Sequence, residues 1–299
     1  MWVSLLQQIK DGEEKAIARS ISLIENEAAG FEILLQSLPA SQTPLIGITG
    51  PPGAGKSTLV DALIAALVNQ GKKIAILCVD PSSPFNLGAL LGDRIRMSEW
   101  YNHPNVFIRS LATRGSLGGL HPKIIEISEL LKAAPFDYII VETVGVGQSE
   151  IEIAGLADVT VVVLVPEAGD EVQTMKAGLM EIADVFVVNK SDRPESDLFV
   201  KNLRLMLAPA FHTHQQEVSV IKTVASQKKG IEELWEAIDK VLKLQNTPQQ
   251  KAWLLAERAF QLIQSKRMTG IDKKVLKEKI QEQLSGAQFN LYNFINQFL

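Results

Sequence analysis

A glycine-rich turn within residues 45–64, LIGITGPPGAGKSTLVDALI, carries side chains that can bind phosphate. Gly50, Gly55, Lys56 and Ser57 fit the pattern Gly-x4-Gly-Lys-Ser, in which glycines let backbone N–H groups approach phosphate oxygens. The lysine of this pattern neutralises the β- and γ-phosphates, and the serine hydroxyl can ligate Mg²⁺. A strand-like run precedes the turn and a helical pattern follows it, as the motif requires. The sequence therefore predicts a nucleoside triphosphate site made by Gly50, Pro51, Pro52, Gly53, Ala54, Gly55, Lys56, Ser57 and Thr58.

A second polar motif follows a strand-like run at residues 185–192, VFVVNKSD. Asn189, Lys190 and Asp192 fit Asn-Lys-x-Asp, in which the aspartate accepts the ring N–H and the 2-amino hydrogens of guanine. About 130 residues after a phosphate loop, this motif predicts guanine selection and thus GTP and GDP as ligands. An ordinary polar loop is the alternative. In the stretch TVASQKKG, residues 223–230, we predict that Ala225 and Ser226 also contact the base. The guanine-binding loop of GTPases commonly reads Ser-Ala, whereas this chain has Val224 before Ala225.

The run YIIVETVGVGQ, residues 138–148, ends in an acid that could serve the same nucleotide. Glu142 stands where a signalling GTPase usually has aspartate, and its longer side chain can reach Mg²⁺ through a water or position the attacking water. Lys56 and Glu142 are therefore the predicted catalytic residues. Gln148 lies three places after Gly145 rather than directly after it, which makes it a weaker candidate. A strand-end glutamate that faces solvent is the alternative for Glu142.

Seven β-branched runs separated by helical patterns must position these motifs. Continuous apolar strands are typical of a sheet covered on both faces, so we predict an α/β fold of the P-loop NTPase type with a mostly parallel sheet flanked by helices. The runs are residues 45–49, 73–79, 105–111, 138–142, 159–165, 185–189 and 218–224.

The two ends of the chain differ from this central region in their pattern of apolar residues. Helix-period apolar residues occur in residues 1–40, and a polar helical pattern returns near residue 246. We therefore predict an N-terminal helical extension at 1–40, a nucleotide domain at 41–245 and a C-terminal helical arm at 246–299.

Composition narrows the class of protein. The formal net charge of −4 gives no electrostatic footprint for nucleic acid or an anionic membrane, and one cysteine excludes an internal disulfide. Apolar stretches of about 18 residues are absent, and the N-terminus does not fit a signal peptide. These features predict a cytoplasmic protein that contacts neither nucleic acid nor membrane.

Four longer stretches resemble one family. Residues 79–97 (VDPSSPFNLGALLGDRIRM), 107–120 (FIRSLATRGSLGGL), 141–150 (VETVGVGQSE) and 169–192 (GDEVQTMKAGLMEIADVFVVNKSD) are similar to those of the methylmalonyl-CoA mutase-associated GTPase chaperones of the MeaB/ArgK type. The resemblance runs through nearly all of residues 44–245. It implies a homodimer, formed through the C-terminal arm, that binds a B12-dependent acyl-CoA mutase. Its GTP hydrolysis would gate adenosylcobalamin delivery, with the cobalamin handled through the partner and not bound by this chain alone.

The same resemblance implies roles for further residues. Asp80 and Asp93 would be switch acids that join Ser57 and Glu142 at Mg²⁺, although capping of helices is the alternative for both aspartates. Segment 169–178 would communicate with the mutase. The residues assigned to switching and partner coupling are Arg94, Gly169, Asp170, Glu171, Gln173 and Lys176. Arg96 and Arg114, like Arg94, lie in loops that partner docking could order.

Three other functions compete with this one. A nickel-inserting accessory GTPase shares the phosphate loop but needs Cys/His clusters, which this chain lacks near the switches. The subfamily also carries an older label as an ATPase or kinase of arginine/ornithine transport. A binding module with a degenerate nucleotide site is the third, and the intact set of Lys56, Ser57, Asp80, Glu142 and Asp192 argues against it.

Overall fold

The structure is a computed structural model that describes residues 2–80, 97–114, 120–145, 149–168, 177–207, 218–244, 248–268, 270–271, 273–284 and 289–298. Within these ranges the strands are β1 Leu45–Thr49, β2 Ile74–Asp80, β3 Val106–Ala112, β4 Tyr138–Glu142, β5 Val159–Leu164, β6 Val185–Val188 and β7 Ser219–Lys222. The helices of the first half are α1 Trp2–Lys10, α2 Glu14–Glu25, α3 Phe31–Gln36, α4 Lys56–Asn69, α5 Ile124–Lys132 and α6 Ser149–Leu156. Those of the second half are α7 Ala177–Ile182, α8 Ser196–Leu207, α9 Ile231–Leu244, α10 Pro248–Arg267, α11 Lys273–Leu284 and α12 Leu291–Ile295.

The described strands form one seven-stranded sheet in the order β3-β2-β4-β1-β5-β6-β7. Every neighbouring pair is parallel, so the predicted α/β class is confirmed. β1 lies in the centre between β4 and β5. Because all carboxyl ends of parallel strands meet at one edge, the loops that follow β1, β2, β4 and β6 share that edge.

Successive side chains of each strand point to opposite faces of the sheet, and an apolar core lies on each face. Val161 and Val163 of β5 belong to a cluster with the apolar residues of α4 and α9, whereas Val162 and Leu164 of the same strand pack with α8. This burial on both faces explains why the strands read as continuous apolar runs instead of alternating ones. The sheet is therefore a rigid base for the loops at its carboxyl edge.

Both ends of the chain are helical, as predicted. Ile17, Ile21 and Ile24 of α2 are buried, and α2 and α3 contact α5 of the central region. Contacts divide the chain into two compact units, Met1–Leu254 and Leu255–Leu299. The first unit contains the N-terminal helices and the sheet. In the second, Phe294 is buried between the rings of Phe289 and Phe298, at centroid distances of 5.9 and 5.2 Å. The three-part division at residues 40 and 245 stays a prediction.

Candidate nucleotide site

The phosphate-loop motif lies where the sequence requires, between the end of β1 and the start of α4. Gly55 directly precedes α4 with φ +89°, a left-handed conformation that glycine adopts without strain. A Cβ atom at this position would lie 2.4 Å from Asn189 Nδ2, so a side chain could not fit there. Glycine is therefore required where the loop enters the helix N-terminus, the place at which anions bind.

Lys56, the first residue of α4, is buried with its ammonium inside the loop. Its Nζ atom donates hydrogen bonds to the carbonyl oxygens of Gly50, at 2.7 Å, and Pro51, at 3.0 Å. The loop thus curls around the cation. An ammonium held here can neutralise a phosphate group that the backbone N–H groups bind.

Ser57 and Glu142 bring α4 and β4 together. Ser57 Oγ donates a 2.6 Å hydrogen bond to Glu142 Oε1, and both residues are 5% exposed. Glu142 therefore does not face solvent, which removes the alternative considered for this residue. Just beside the pair, Thr49 Oγ1 and Thr143 Oγ1 lie 2.9 Å apart in a buried contact between the ends of β1 and β4.

Asp80 is the last residue of β2, next to β4. Cys78 pairs with Glu142 in the parallel register, and Asp80 lies two residues further on, so Asp80 and Glu142 project from the same face of the sheet. Asp80 is buried. The hydroxyl of Ser57 and the two carboxylates are oxygen donors of the kind that Mg²⁺ prefers, so the residues present fit this ion.

Gly145 ends the Glu-x-x-Gly turn against the phosphate loop. Its φ is +83°, and a Cβ atom there would lie 2.3 Å from the Gly50 carbonyl oxygen and 2.4 Å from Lys56 Nζ. The turn after β4 therefore packs directly against the lysine. A change in the position of this turn must also change the surroundings of the Lys56 ammonium.

The Asn-Lys-x-Asp motif after β6 contacts the phosphate loop from the other side. Asn189 Nδ2 donates to the Ala54 carbonyl oxygen at 2.9 Å, and Lys190 Nζ donates to the Gly53 carbonyl oxygen at 2.7 Å. Asn189 Oδ1 accepts from Thr223 Oγ1 and from the Ala225 backbone N–H, both at 3.1 Å. Asn189 thus ties together the loops after β1, β6 and β7.

The other predicted site residues divide into two groups. Asp192, Pro52, Thr58 and Ser226 are exposed, whereas Pro51 is half-buried. The rest lie outside the described residues: Asp93, Arg94, Arg96, Gln148, Gly169, Asp170, Glu171, Gln173 and Lys176. The binding and catalytic roles of both groups stay predictions.

Several residues that order this edge of the sheet were not predicted from the sequence. No sequence motif predicts the buried hydroxyl contacts made by Thr49, Thr143 and Thr223. Arg114, predicted to lie in a loop that partner docking could order, donates to the backbone carbonyl of Glu25 in α2 at 2.7 Å. A contact between residues 89 positions apart has no local sequence signal.

Two features of the described residues bear on other kinds of function. These residues contain no cluster of three or more His, Cys, Asp or Glu side chains placed to hold a metal ion. Cys78 is buried within β2. Within the same ranges, every helix is too short or too polar to cross a membrane.

Comparison with known proteins agrees with this geometry. The family described as Methylmalonyl Co-A mutase-associated GTPase MeaB matches residues 17–280. A relative from Pyrococcus horikoshii is 46% identical over 239 residues, covering 78% of this chain and 75% of the relative. GTPase ArgK of Escherichia coli is 37% identical over 244 residues, covering 78% and 73%.

A solved structure extends the likeness to the whole fold. The crystal structure of LAO/AO transport system kinase superposes with a TM-score of 0.67 and 26% sequence identity, covering 99% of this chain and 96% of that one. The phosphate loop, Glu142 and the base motif all lie inside the matched family region. The chain is therefore a nucleotide-binding GTPase that belongs to the methylmalonyl Co-A mutase-associated GTPase MeaB family.

Proposed function

We propose that this GTPase is a chaperone that gates adenosylcobalamin loading of a B12-dependent acyl-CoA mutase, with methylmalonyl-CoA mutase as the first candidate. The observation that carries the proposal is the match of the mutase-associated family over residues 17–280, which begins within α2 and includes the nucleotide site and most of the C-terminal arm. In this scheme the cobalamin is cargo that the partner binds. The chain itself binds GTP or GDP.

The proposed function gives each polar group of the nucleotide site a role. Backbone N–H groups of the loop and the Lys56 ammonium bind the β- and γ-phosphates, and Asp192 accepts hydrogen bonds from the guanine edge. Ser57 and Asp80, with Glu142 directly or through water, would hold Mg²⁺. That ion would neutralise charge that develops on the phosphate oxygens.

Glu142 has the chemistry of a residue that orients or deprotonates the attacking water. Its Oε1 atom is already held by Ser57 at 2.6 Å, which fixes the orientation of the carboxylate relative to the phosphate loop. A carboxylate that is fixed before the reaction loses little freedom when the transition state forms. Glu142 therefore links the nucleotide's charge to the turn that ends at Gly145.

A second copy of the chain is the proposed partner of the C-terminal helices. Large apolar side chains of this region are exposed in the isolated chain, and exposed apolar patches of this kind mark interaction surfaces. They are Trp253, Leu255, Phe260, Ile263, Met268, Val275, Leu284, Leu291, Tyr292 and Ile295. A homodimer would cover part of this surface.

The name LAO/AO transport system kinase favours one competing function, the phosphorylation of a transport component. That function would need ATP and an acceptor, whereas the Asn-Lys-x-Asp motif favours guanine. Incubation with labelled ATP or GTP and an arginine- or ornithine-binding protein separates the two. Transfer of label to that protein would favour the kinase function.

The test of the chaperone function is nucleotide-dependent loading of the mutase. The purified chain is charged with GDP or with a non-hydrolysable GTP analogue and mixed with apo-methylmalonyl-CoA mutase, and its affinity for the mutase is measured by calorimetry. Binding of added adenosylcobalamin by the mutase is followed by absorbance. We expect complex formation and a loading yield that differs between the two nucleotides.

Lys56→Ala is the control, since a chain that cannot hold phosphate should lose the nucleotide dependence. Absence of a complex with either nucleotide would contradict the chaperone function while leaving the GTPase activity untouched.

A further inference from the structure

Glu25, the last residue of α2, contacts three basic side chains of the nucleotide-binding unit. Its Oε2 accepts a 2.5 Å hydrogen bond from Arg109 Nη2, and its Oε1 lies 3.8 Å from Arg114 Nη2 and 3.7 Å from His121 Nε2. Its backbone carbonyl also accepts from Arg114 Nη1 at 2.7 Å. We call Glu25, Arg109, Arg114 and His121 the Glu25 cluster. The Glu25 side chain is only 10% exposed, so these contacts are largely shielded from water.

The Glu25 cluster lies beside a candidate Mg²⁺ ligand. Arg109 is in β3, and Arg114 follows two residues after β3 ends at Ala112. Between them, the Thr113 backbone N–H donates to the Asp80 carbonyl oxygen at 3.0 Å. The segment 109–114, which Glu25 contacts, is therefore hydrogen-bonded to the backbone of Asp80, whose carboxylate is proposed to face the ion.

Arg114 has a backbone conformation that needs support. Its φ of +47° is left-handed, a conformation that is uncommon and strained for a residue with a side chain. The two contacts with Glu25 hold its guanidinium in place and so stabilise this conformation. Strained residues that their surroundings hold in place cluster at functional sites.

The charge balance of the Glu25 cluster depends on one carboxylate. Burial lowers the pKa of His121 to about 4, so the imidazole is neutral near pH 7 and Glu25 faces two guanidinium charges. The neighbouring cation Lys123 is paired with Glu27 and Glu126. Without the Glu25 charge, Arg109 and Arg114 would face each other across a partly buried site, where unpaired charges are costly.

We propose that Glu25 is a positioning residue for GTP hydrolysis. Through Arg109 and Arg114 it fixes the end of β3, and through the Thr113–Asp80 bond it fixes the end of β2, so the N-terminal helical extension sets the geometry of the Mg²⁺ site. This inference rests on the proposed role of Asp80. It assigns the N-terminal extension a part in the reaction through contacts with β3.

The test compares Glu25→Gln with Glu27→Gln. Glu27 lies just past the same helix and is also ion-paired, at 2.7 Å, but its partner is Lys123 and not an arginine of the cluster. We expect Glu25→Gln to lower kcat for GTP hydrolysis by about tenfold with KM changed less than about twofold, because a small displacement far from the chemistry costs rate more than binding. Glu27→Gln should keep kcat within about twofold of the parent.

A second variant shows whether the effect passes through Arg114. The double variant Glu25→Gln/Arg114→Gln should be no slower than Glu25→Gln alone, and Glu25→Asp should recover part of the rate. An unchanged kcat in Glu25→Gln, even with a lower melting temperature, would reduce the Glu25 cluster to a structural contact. An equal loss of affinity for a fluorescent GDP analogue would also overturn the inference.

Asp80→Asn tests the supporting assumption separately. If Asp80→Asn hydrolyses GTP at the parental rate, the proposed Mg²⁺ role of Asp80 fails, whatever Glu25→Gln does. If Asp80→Asn is slow and Glu25→Gln is not, only the positioning role of Glu25 fails.

Discussion

Glu142 is the residue whose environment says most about the chemistry. It ends a buried strand, accepts a 2.6 Å hydrogen bond from the phosphate-loop serine, and lies three residues before a glycine that packs against the phosphate-loop lysine. A carboxylate buried in such surroundings is costly unless hydrogen bonds or cations compensate for it. This arrangement suits a group that works beside Mg²⁺ and a phosphate.

Glu142→Gln should separate binding from hydrolysis. The amide oxygen can still accept from Ser57, so GTP affinity should stay close to that of the parent, but the charge that activates water is lost. We expect single-turnover hydrolysis to slow by about a hundredfold. Glu99→Gln, which neutralises an exposed carboxylate on the Ser98–Trp100 turn, is the matched control. Parental rates in Glu142→Gln would mean that the glutamate is structural.

Asp192→Asn should weaken the preference for guanine. An amide cannot accept both hydrogen bonds from the base edge, and loss of a charge-assisted pair costs about 1.5–3 kcal/mol. GTP affinity should fall accordingly while ATP affinity changes little, as measured by competition with a fluorescent GDP analogue. Asp197→Asn, on α8 and paired with Lys222 at 2.6 Å, removes the same charge nearby and should have no such effect. If GTP affinity falls equally in both variants, residues Asn189–Asp192 are not the motif that binds the base.

At the scale of helices and strands, local signals predicted more than distant contacts did. The phosphate loop and the seven strands could be predicted because each is encoded in a short stretch of sequence, by its glycine positions or by its run of apolar residues. The Thr49–Thr143 bond joins residues 94 positions apart, and the Arg109–Glu25 bond joins residues 84 apart. Such pairs depend on which strands and helices become neighbours, which periodicity does not specify.

Thr143→Val should destabilise the junction of β1 and β4. It leaves the Thr49 hydroxyl buried without its partner, and an unsatisfied buried polar group costs about 1–3 kcal/mol. Thr49→Val/Thr143→Val removes both hydroxyls and should recover most of that loss. The free energy of unfolding in urea measures both. If the second substitution lowers the free energy of unfolding by as much again as Thr143→Val did, the hydrogen bond between the two hydroxyls does not account for the loss.

Stability should fall at mildly acidic pH because of His121. Burial holds its folded-state pKa at about 4, with Glu25 raising it and Arg114, Lys123 and Arg109 lowering it. Since the unfolded imidazole titrates near 6.5, the unfolded chain binds more protons between these values, and the unfolding free energy decreases as pH falls from 6.5 towards 4. The expected loss by about pH 5 is about 2 kcal/mol.

His121→Gln should remove this component of the pH dependence, leaving a flatter profile in urea unfolding between about pH 7 and about pH 5. His103→Gln, a histidine of the loop before β3, is the comparison variant. An identical slope in parent and His121→Gln would contradict the assignment.

At the scale of the whole molecule, the nucleotide site is one part of a larger protein. The family match begins in α2 and ends in α11, so it includes part of each helical extension together with the nucleotide site. The Glu25 cluster gives the N-terminal extension a physical connection to β3. The C-terminal helices expose the apolar side chains that a second copy would cover. Residues 169–176 of the predicted coupling segment 169–178 lie outside the described residues, and the part of this segment in signalling stays a proposal.

The most direct test of the account is single-turnover GTP hydrolysis with and without a purified B12-dependent acyl-CoA mutase. A partner that orders loops around a bound nucleotide should accelerate the basal reaction by at least about tenfold. The acceleration should disappear in Glu171→Ala/Gln173→Ala, while the basal rate persists. A hydrolysis rate that no B12-dependent mutase changes would contradict the proposed chaperone function.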